Sequence, residues 1–276
     1  MYSGINDAVE LANGIRMPVL GLGTYKTPDG AVVENAVRVA LDAGYRSIDT
    51  AALYDNEKGI GRALKHSGLE RSEVFITTKV WNADQGYRET LKAFDRSRKD
   101  LGTDYVDLYL IHWPVKGKYI ETWRAMEELL KKGLARSIGV SNFLVHHLED
   151  LMRNSSVGPM LDQFELHPRL YQAELISFCR GRGITVEGWA PLMRGRLNDN
   201  PLILELAAAY ERTPSQILIR WALEHGFVTI PKSVNPARII ENSRVFDFRL
   251  SGEDIGRIDA LNRNERTGPD PDNFNF

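Results

Sequence analysis

The chain has 276 residues and a formal net charge of −2, from 35 Lys+Arg against 37 Asp+Glu, with a single cysteine, Cys179. Charge so evenly balanced excludes the sequence-independent attraction on which nucleic-acid binding depends, and one cysteine excludes an internal disulfide framework and fits a reducing, cytoplasmic compartment. A mean hydropathy of −0.31 and an aliphatic stretch from Leu202 to Tyr210 that Glu205 interrupts leave no evident membrane span, and the opening residues carry neither the basic nor the apolar region of a signal peptide.

The first element is a hairpin. Val9-Glu10-Leu11 and Ile15-Arg16-Met17 flank Asn13-Gly14, a dipeptide that accepts the positive φ angles of a tight turn. Short β-like runs then alternate with helical stretches, the runs covering 19–22, 47–49, 74–77, 106–111, 137–140, 161–164, 185–188 and 227–230. Between them Ala36, Val37, Ala40 and Leu41 line one helical face, Leu91, Phe94 and Leu101 another, and Trp123, Met126, Leu129 and Leu130 a third. Gly44, Gly68, Gly102, Gly133 and Gly183 each follow a helical run, where a left-handed C-terminal cap is expected. Strand and helix in regular alternation imply parallel pairing through crossovers, and eight such units close into a (β/α)8 TIM barrel of the α/β class behind an N-terminal β-hairpin. No linker or shift in composition divides the chain, so residues 1–276 read as one domain.

In such a barrel the active site lies at the C-terminal ends of the strands. The second of the eight runs ends in Asp49, with Tyr54 on the loop beyond it; the third ends in Thr78-Lys79 and the fourth in His112-Trp113-Pro114. Ser141-Asn142 close the fifth, Gln163 to His167 the sixth, Trp189 the seventh and Pro231-Lys232-Ser233 the eighth. Taken singly, each polar residue is most simply a structural ion pair or a capped loop. Burying charge is costly unless it is paired, however, and an Asp, a Lys, a His and a Tyr together on one rim point to chemistry.

The motifs that contain these residues carry a resemblance. Gly44-Tyr45-Arg46-Ser47-Ile48-Asp49-Thr50-Ala51, followed by Tyr54, resembles the first signature of the aldo-keto reductase family. Asp107-Leu108-Tyr109-Leu110-Ile111-His112-Trp113-Pro114 is similar to its central segment, Gly139-Val140-Ser141-Asn142-Phe143 to its fifth-strand motif, and Gln163-Phe164-Glu165-Leu166-His167-Pro168 to its sixth. Ile230-Pro231-Lys232-Ser233, with Arg238 and Glu241-Asn242, is similar to its last signature. The motifs span almost the whole chain, in order, and look most like those of the short prokaryotic and protozoan members.

The resemblance implies NADPH-dependent reduction of aldehydes and ketones by a tetrad of Asp49, Tyr54, Lys79 and His112. The residue types suit that chemistry, since a carbonyl needs a hydride at carbon and a proton at oxygen. A phenol titrates near pKa about 10, and a lysine beside it lowers that value, which is the expected part of Lys79 on Tyr54. Asp49 holds the ammonium, and a neutral His112 donates to the carbonyl oxygen as charge builds there. By the same resemblance Gly23, Thr24 and Tyr25 line the nicotinamide end, Ser141, Asn142 and Gln163 bind its carboxamide, and Trp189 stacks on the ring beside Ala190, Pro191 and Leu192. Lys232, Ser233, Val234 and Arg238 grip the adenosine 2′-phosphate, with Glu241 and Asn242 near the adenine. Tyr25, Tyr54, Trp81, His112 and Trp113 form an aromatic substrate pocket. The expected partner is a small carbonyl compound, and the family default is a monomer.

Two positions depart from the family pattern. Ala190 stands where Ser commonly follows the stacking aromatic, and Asp162 stands where Asn usually precedes Gln163; a donor partner for Asp162 is therefore expected. Gly21-Leu22-Gly23 lacks the third glycine of a dinucleotide fingerprint, with Lys26 in its place, so no Rossmann site is read there. No metal site is expected, because His112, His167 and Asp49 lack ligand spacing. His146-His147 reads as a solvated or capping pair, and Cys179 as buried packing. Two alternatives are a non-catalytic, redox-sensing NADPH-binding subunit of the same fold and a Schiff-base lyase with Lys79 as nucleophile. The loops after the fourth and seventh strands and the tail, 266–276, set substrate choice; the short loop 115–118 suggests an open site of broad aldehyde preference.

Overall fold

A computed structural model describes residues 2–274; Asn275 and Phe276, at the end of the tail read above, lie outside the described residues. The N-terminal hairpin forms from β1 (Ala8–Glu10) and β2 (Arg16–Pro18), antiparallel with Val9 opposite Met17. Its connection differs from the two-residue turn expected. Leu11 N–H donates to Ile15 O, and Gly14 alone is left-handed, at φ 82°, which makes a three-residue loop. Asn13 Nδ2 is thereby free to reach Arg136 O at 2.8 Å, docking the hairpin at the N-terminal end of the strands, opposite the rim where function is expected.

The eight strands of the barrel are β3 (Leu22–Gly23), β4 (Ser47–Asp49), β5 (Phe75–Val80), β6 (Val106–Ile111), β7 (Ala135–Ser141), β8 (Leu161–Glu165), β9 (Thr185–Trp189) and β10 (Val228–Thr229). All neighbours pair in parallel and in chain order. The ring closes between β10 and the approach to β3 through isolated parallel bridges, Leu20 to Thr229 and Gly23 to Lys232. Glycine is needed at that seam: a Cβ on Gly23 would lie 2.7 Å from Ile230 O. The first and last runs were expected to be four residues long; the ladder there is two, because closure rests on bridges rather than on continuous pairing. β5 in turn runs beyond its expected end and carries Lys79 inside the strand.

Helices α1 (Ala31–Asp42), α2 (Glu57–His66), α3 (Tyr87–Leu101), α4 (Tyr119–Lys131), α5 (Val145–Arg153), α6 (Ala173–Gly181), α7 (Pro201–Ala209), α8 (Pro214–Glu224), α9 (Pro236–Ser243) and α10 (Gly252–Asp259) wrap the sheet. They start and stop where local chemistry dictates. Thr213 and Gln216 form a reciprocal capping box before Pro214, and Asn200 and Asn235 cap helices that open with proline. All five glycines expected to end helices have positive φ. At Gly102 the paired bonds from its own N–H to Lys99 O and from Thr103 N–H to Arg98 O close the turn. Apolar faces of the helices and the outward face of the strands share one continuous core, with Trp123, Phe94 and Phe143 among its largest members.

Candidate active site

Asp49 ends β4, and backbone N–H and hydroxyl of Thr24 both bond its carbonyl, at 3.1 and 2.8 Å. Beyond it the chain enters one 3-10 turn, Ala52–Tyr54, which Asp55 terminates at φ 52°. Asn56 holds this turn to the loop after β3 by donating to Thr24 O and Thr27 O, both at 3.0 Å, while accepting from Thr50 Oγ1. Tyr54 is thus set on the rim by a buried asparagine that sequence reading did not single out. Its ring packs 5.0 Å from Tyr25 and 5.7 Å from His112, which in turn lies 5.2 Å from Trp81 (centroid distances).

The tetrad converges, with one correction. Lys79 Nζ lies 5.2 Å from the centroid of the Tyr54 ring, but its three hydrogens go to Asp49 Oδ1 at 2.7 Å, Asp49 Oδ2 at 2.8 Å and Thr50 O at 2.8 Å. No hydrogen bond to the Tyr54 hydroxyl forms among the described residues. The expected lowering of its pKa by Lys79 is reversed: burial, with Asp49, Tyr25 and Glu187 adding to it, pushes the phenol well up. Tyr54 is therefore a neutral acid throughout the physiological range. His112 moves the other way. Burial first and the Lys79 charge second hold its imidazole well below its ordinary value, so it is neutral as expected. His112 Nδ1 is buried without a partner among the described residues, and a proton there would be an orphaned donor, which places the proton on Nε2.

The residues expected at the nicotinamide end are woven together. Ser141 Oγ donates to Gln163 O at 2.8 Å; Asn142, at φ 63°, donates to His112 O and Ser141 Oγ and accepts from Trp189 Nε1 at 2.9 Å. Gln163 Nε2 donates to Asp49 Oδ2 and Glu187 Oε2, each at 2.8 Å. On its far side Trp189 is backed by Gly268, where a Cβ would lie 2.4 Å from the indole. Glu165, buried at the end of β8, holds that glycine in place: it accepts from Gly268 N–H, from Thr267 N–H and hydroxyl, and lies 3.1 Å from His167 Nε2. Burial pushes the Glu165 carboxyl up, but the bonds from His167 and Thr267 outweigh it and leave the carboxyl below its usual range. Further along the tail Phe274 packs on Trp113 at 4.4 Å, adding a wall to the aromatic pocket.

At the far end, Lys232 and Arg238 flank the N-terminus of α9, and neither side chain has a carboxylate partner among the described residues. Glu241 accepts from Thr213 Oγ1 at 2.8 Å, and Asn242 Oδ1 is buried without a donor. Two unpaired cations suit a dianionic phosphate, and an orphaned buried acceptor suits the exocyclic amine of an adenine, so these residues fit the dinucleotide that the resemblance implies.

Remaining expectations fall on both sides. Asp162 lies on the outward face of β8 with both carboxyl oxygens buried; among the described residues the donor that acts on it is the Phe143 backbone N–H, which falls short of a regular hydrogen bond, so the expected partner is a weak one. Burial pushes its carboxyl well up, and the Phe143 backbone N–H offsets only part of that. His147 Nδ1 accepts from Leu144 N–H, the capping role foreseen, while His146 and His147 both approach Asp272 of the tail. Cys179 is buried, and burial pushes its thiol up. Lys79, fully hydrogen-bonded as an ammonium, has no lone pair for Schiff-base attack. Three residues escaped the sequence reading: Asn56, Glu187, signalled only as an acid in an apolar strand, and Phe274, far from the pocket in sequence.

Comparison with known proteins agrees with this geometry. The model of the Aldo/keto reductase family matches residues 19–263. The chain is 53% identical over 276 residues to glyoxal reductase of Bacillus subtilis (strain 168), covering 100% of both. Its structure superposes with TM-score 0.95 on an aldo-keto reductase enzyme from a Medee basin deep-sea metagenome library, 45% identical, covering 98% of this chain and 100% of that one. A mutant of Gox0644 solved in complex with NADPH gives TM-score 0.92 at 43% identity, covering 98% of each chain. This chain belongs to the aldo-keto reductase family, and it is an NADP-dependent oxidoreductase with the (β/α)8 fold.

Proposed function

We propose that this protein reduces aldehydes and ketones to alcohols, with Tyr54 delivering the proton to the carbonyl oxygen. The observation that carries the reading is the meeting of a neutral Tyr54, a neutral His112 and the buried Lys79–Asp49 pair at one end of the barrel. NADPH, when bound, supplies the hydride. Ser141, Asn142, Gln163 and Trp189 would hold its nicotinamide end beside Gly23, Thr24 and Tyr25, with Ala190, Pro191 and Leu192 along the loop after β9. Lys232, Ser233, Val234, Arg238, Glu241 and Asn242 would hold the adenosine phosphate end.

The side chains divide the remaining work. His112 Nε2–H donates to the carbonyl oxygen and polarises it, without the competing proton loss an imidazolium would invite. Tyr54 stays protonated until negative charge arises on that oxygen, then gives up its proton; a positioned acid contributes about 10²–10⁴-fold. Lys79, whose Nζ lies 5.2 Å from the Tyr54 ring centroid, supplies the positive charge that tempers the phenolate left behind, and Asp49 keeps that charge buried and in place. Tyr25, Trp81, Trp113 and Phe274 exclude water and offer flat apolar walls, with Tyr25 46% exposed at the mouth. Such a pocket suits small or aromatic aldehydes over a broad range. Glyoxal reductase activity in a relative of 53% identity supports trying α-dicarbonyls first. The proposal includes a monomer acting in the cytoplasm.

The test follows NADPH absorbance against glyoxal, methylglyoxal and a nitrobenzaldehyde, for the native enzyme and Tyr54→Phe. Turnover that falls by at least about 100-fold in the variant, with NADPH affinity unchanged, is the expected result. No turnover by the folded native enzyme with any carbonyl would remove the reading. A single substrate turned over with high selectivity would remove the claim of breadth.

A further inference from the structure

Glu187 has no part in the scheme above, yet it sits beneath it. In the β8–β9 register Gln163 stands opposite Glu187, so both side chains leave the sheet on the same face, into the barrel. Glu187 is fully buried, and its Oε1 has no partner among the described residues. Lys79 cannot supply one, because all three of its hydrogens go to Asp49 and Thr50. Among the described residues the carboxyl's one bond is the 2.8 Å contact from Gln163 Nε2, the same nitrogen that donates to Asp49 Oδ2.

That shared nitrogen decides which way the Gln163 amide points. Turned over, the amide would set its carbonyl oxygen against Asp49, the ion-pair partner of Lys79, which has only lone pairs to offer. With both amide hydrogens committed to the two carboxyls, Oε1 faces away from them. The neighbouring amide is oriented by other partners: Asn142 Nδ2 donates to His112 O and Ser141 Oγ, and its Oδ1 accepts from Trp189 Nε1.

We propose that Glu187 is a positioning residue for the nicotinamide end of the cofactor: together with Asp49 it holds both amide hydrogens of Gln163 and so presents Gln163 Oε1 as the acceptor for the carboxamide N–H. The inference rests on the cofactor placement proposed above. The charged or titratable groups facing Glu187 are Asp49 from β4, Lys79 from β5 and Tyr54 from the turn after β4. Burial first, then Asp49, pushes its carboxyl up to about 8 against the opposing pull of Gln163 and Lys79. The protonated acid carries its hydrogen on the orphaned Oε1 and still accepts through Oε2, so the hold on Gln163 is the same in both states.

The experiment compares Glu187→Met and Glu187→Gln with the native enzyme, titrating each with NADPH and with 2′,5′-ADP, which lacks the nicotinamide. Tryptophan fluorescence reads both. Glu187→Met, similar in bulk but unable to accept, should weaken NADPH binding about tenfold, the worth of one hydrogen bond, and leave 2′,5′-ADP binding within about twofold. Glu187→Gln, whose carbonyl accepts the same hydrogen, should keep both. Unchanged NADPH binding in Glu187→Met overturns the assignment, as does a parallel loss of both ligands, which marks general damage to the fold. Loss in Glu187→Gln equal to that in Glu187→Met overturns the acceptor role. If the native enzyme binds the two ligands equally, the nicotinamide placement fails and takes this inference with it; if the native preference stands, only Glu187 is at stake.

Discussion

Asp162 offers a measurement in which the expected effect follows from burial alone. Its two oxygens are enclosed behind β8 with no regular hydrogen bond among the described residues, and burial, offset only in part by the Phe143 backbone N–H, raises its carboxyl well above the usual range. A carboxyl whose pKa is raised by folding gives stability that is fully present below the unfolded value of about 3.9 and lost as pH climbs to the folded value. Within that window the folded state holds one proton more than the unfolded state, so stability falls by about 1.4 kcal/mol per pH unit. Asp162→Asn removes this slope and leaves only a pH-independent offset from the buried amide. The difference between variant and native protein cancels every other titrating group, including His112, whose lowered value works in the opposite sense. Urea unfolding at pH 5, 6 and 7, with m unchanged between the two proteins, should show the variant gaining on the native enzyme as pH rises, by up to about 1.4 kcal/mol per unit. A difference that stays constant from pH 5 to 7 would refute the reasoning, because it would mean that Asp162 is charged in the folded protein.

Three further outcomes test separate parts of the site. Lys79→Met strands Asp49 and Thr50 O inside the barrel and should cost about 3–5 kcal/mol of stability in the same unfolding assay, as breaking a buried pair does; a loss below about 1 kcal/mol would show that water reaches the pair. Lys232→Ala and Arg238→Ala should each raise the KM for NADPH by tenfold or more, about 1.5–3 kcal/mol per charge-assisted bond, and leave that for NADH unchanged; equal effects on both cofactors would place the cations elsewhere. Gly268→Ala drives a methyl into Trp189, a clash that should cost about 1–3 kcal/mol of stability and alter the fluorescence change on cofactor binding, whereas native behaviour would mean the tail yields freely.

Much of this site could be read before any coordinates, because strand ends are local in sequence: Asp49, Lys79, His112, Ser141, Gln163 and Trp189 each follow an apolar run that fixes their place on the rim. What could not be read depends on who stands beside whom. Closure of the ring through Leu20–Thr229 and Gly23–Lys232 rests on single bridges too short to leave a pattern. Lys79's hydrogens go to Asp49 and the Thr50 carbonyl, and the raised rather than lowered Tyr54 follows from burial first, with Asp49, Tyr25 and Glu187 adding to it, an environment that no residue type reveals. Glu187 acquires meaning only through its register with Gln163, and Phe274 only through a tail that returns across the barrel to Trp113. Asp162 shows the converse: the sequence marked it as a charge in need of a donor, and the fold supplies only the weakly placed Phe143 backbone N–H.

The clamp that Glu165 places on Thr267 and Gly268 bears on how substrate choice in this enzyme could be re-engineered. Exchanging the C-terminal segment with that of a relative is a natural way to reshape the wall around Trp113. The same graft replaces the glycine against which the Trp189 indole rests, so, on the cofactor placement proposed above, a chimera made to accept a new aldehyde also carries a changed seat for its reductant. Selectivity and cofactor affinity have to be optimised as one variable here, with residues 267 and 268 held fixed if only the first is meant to move.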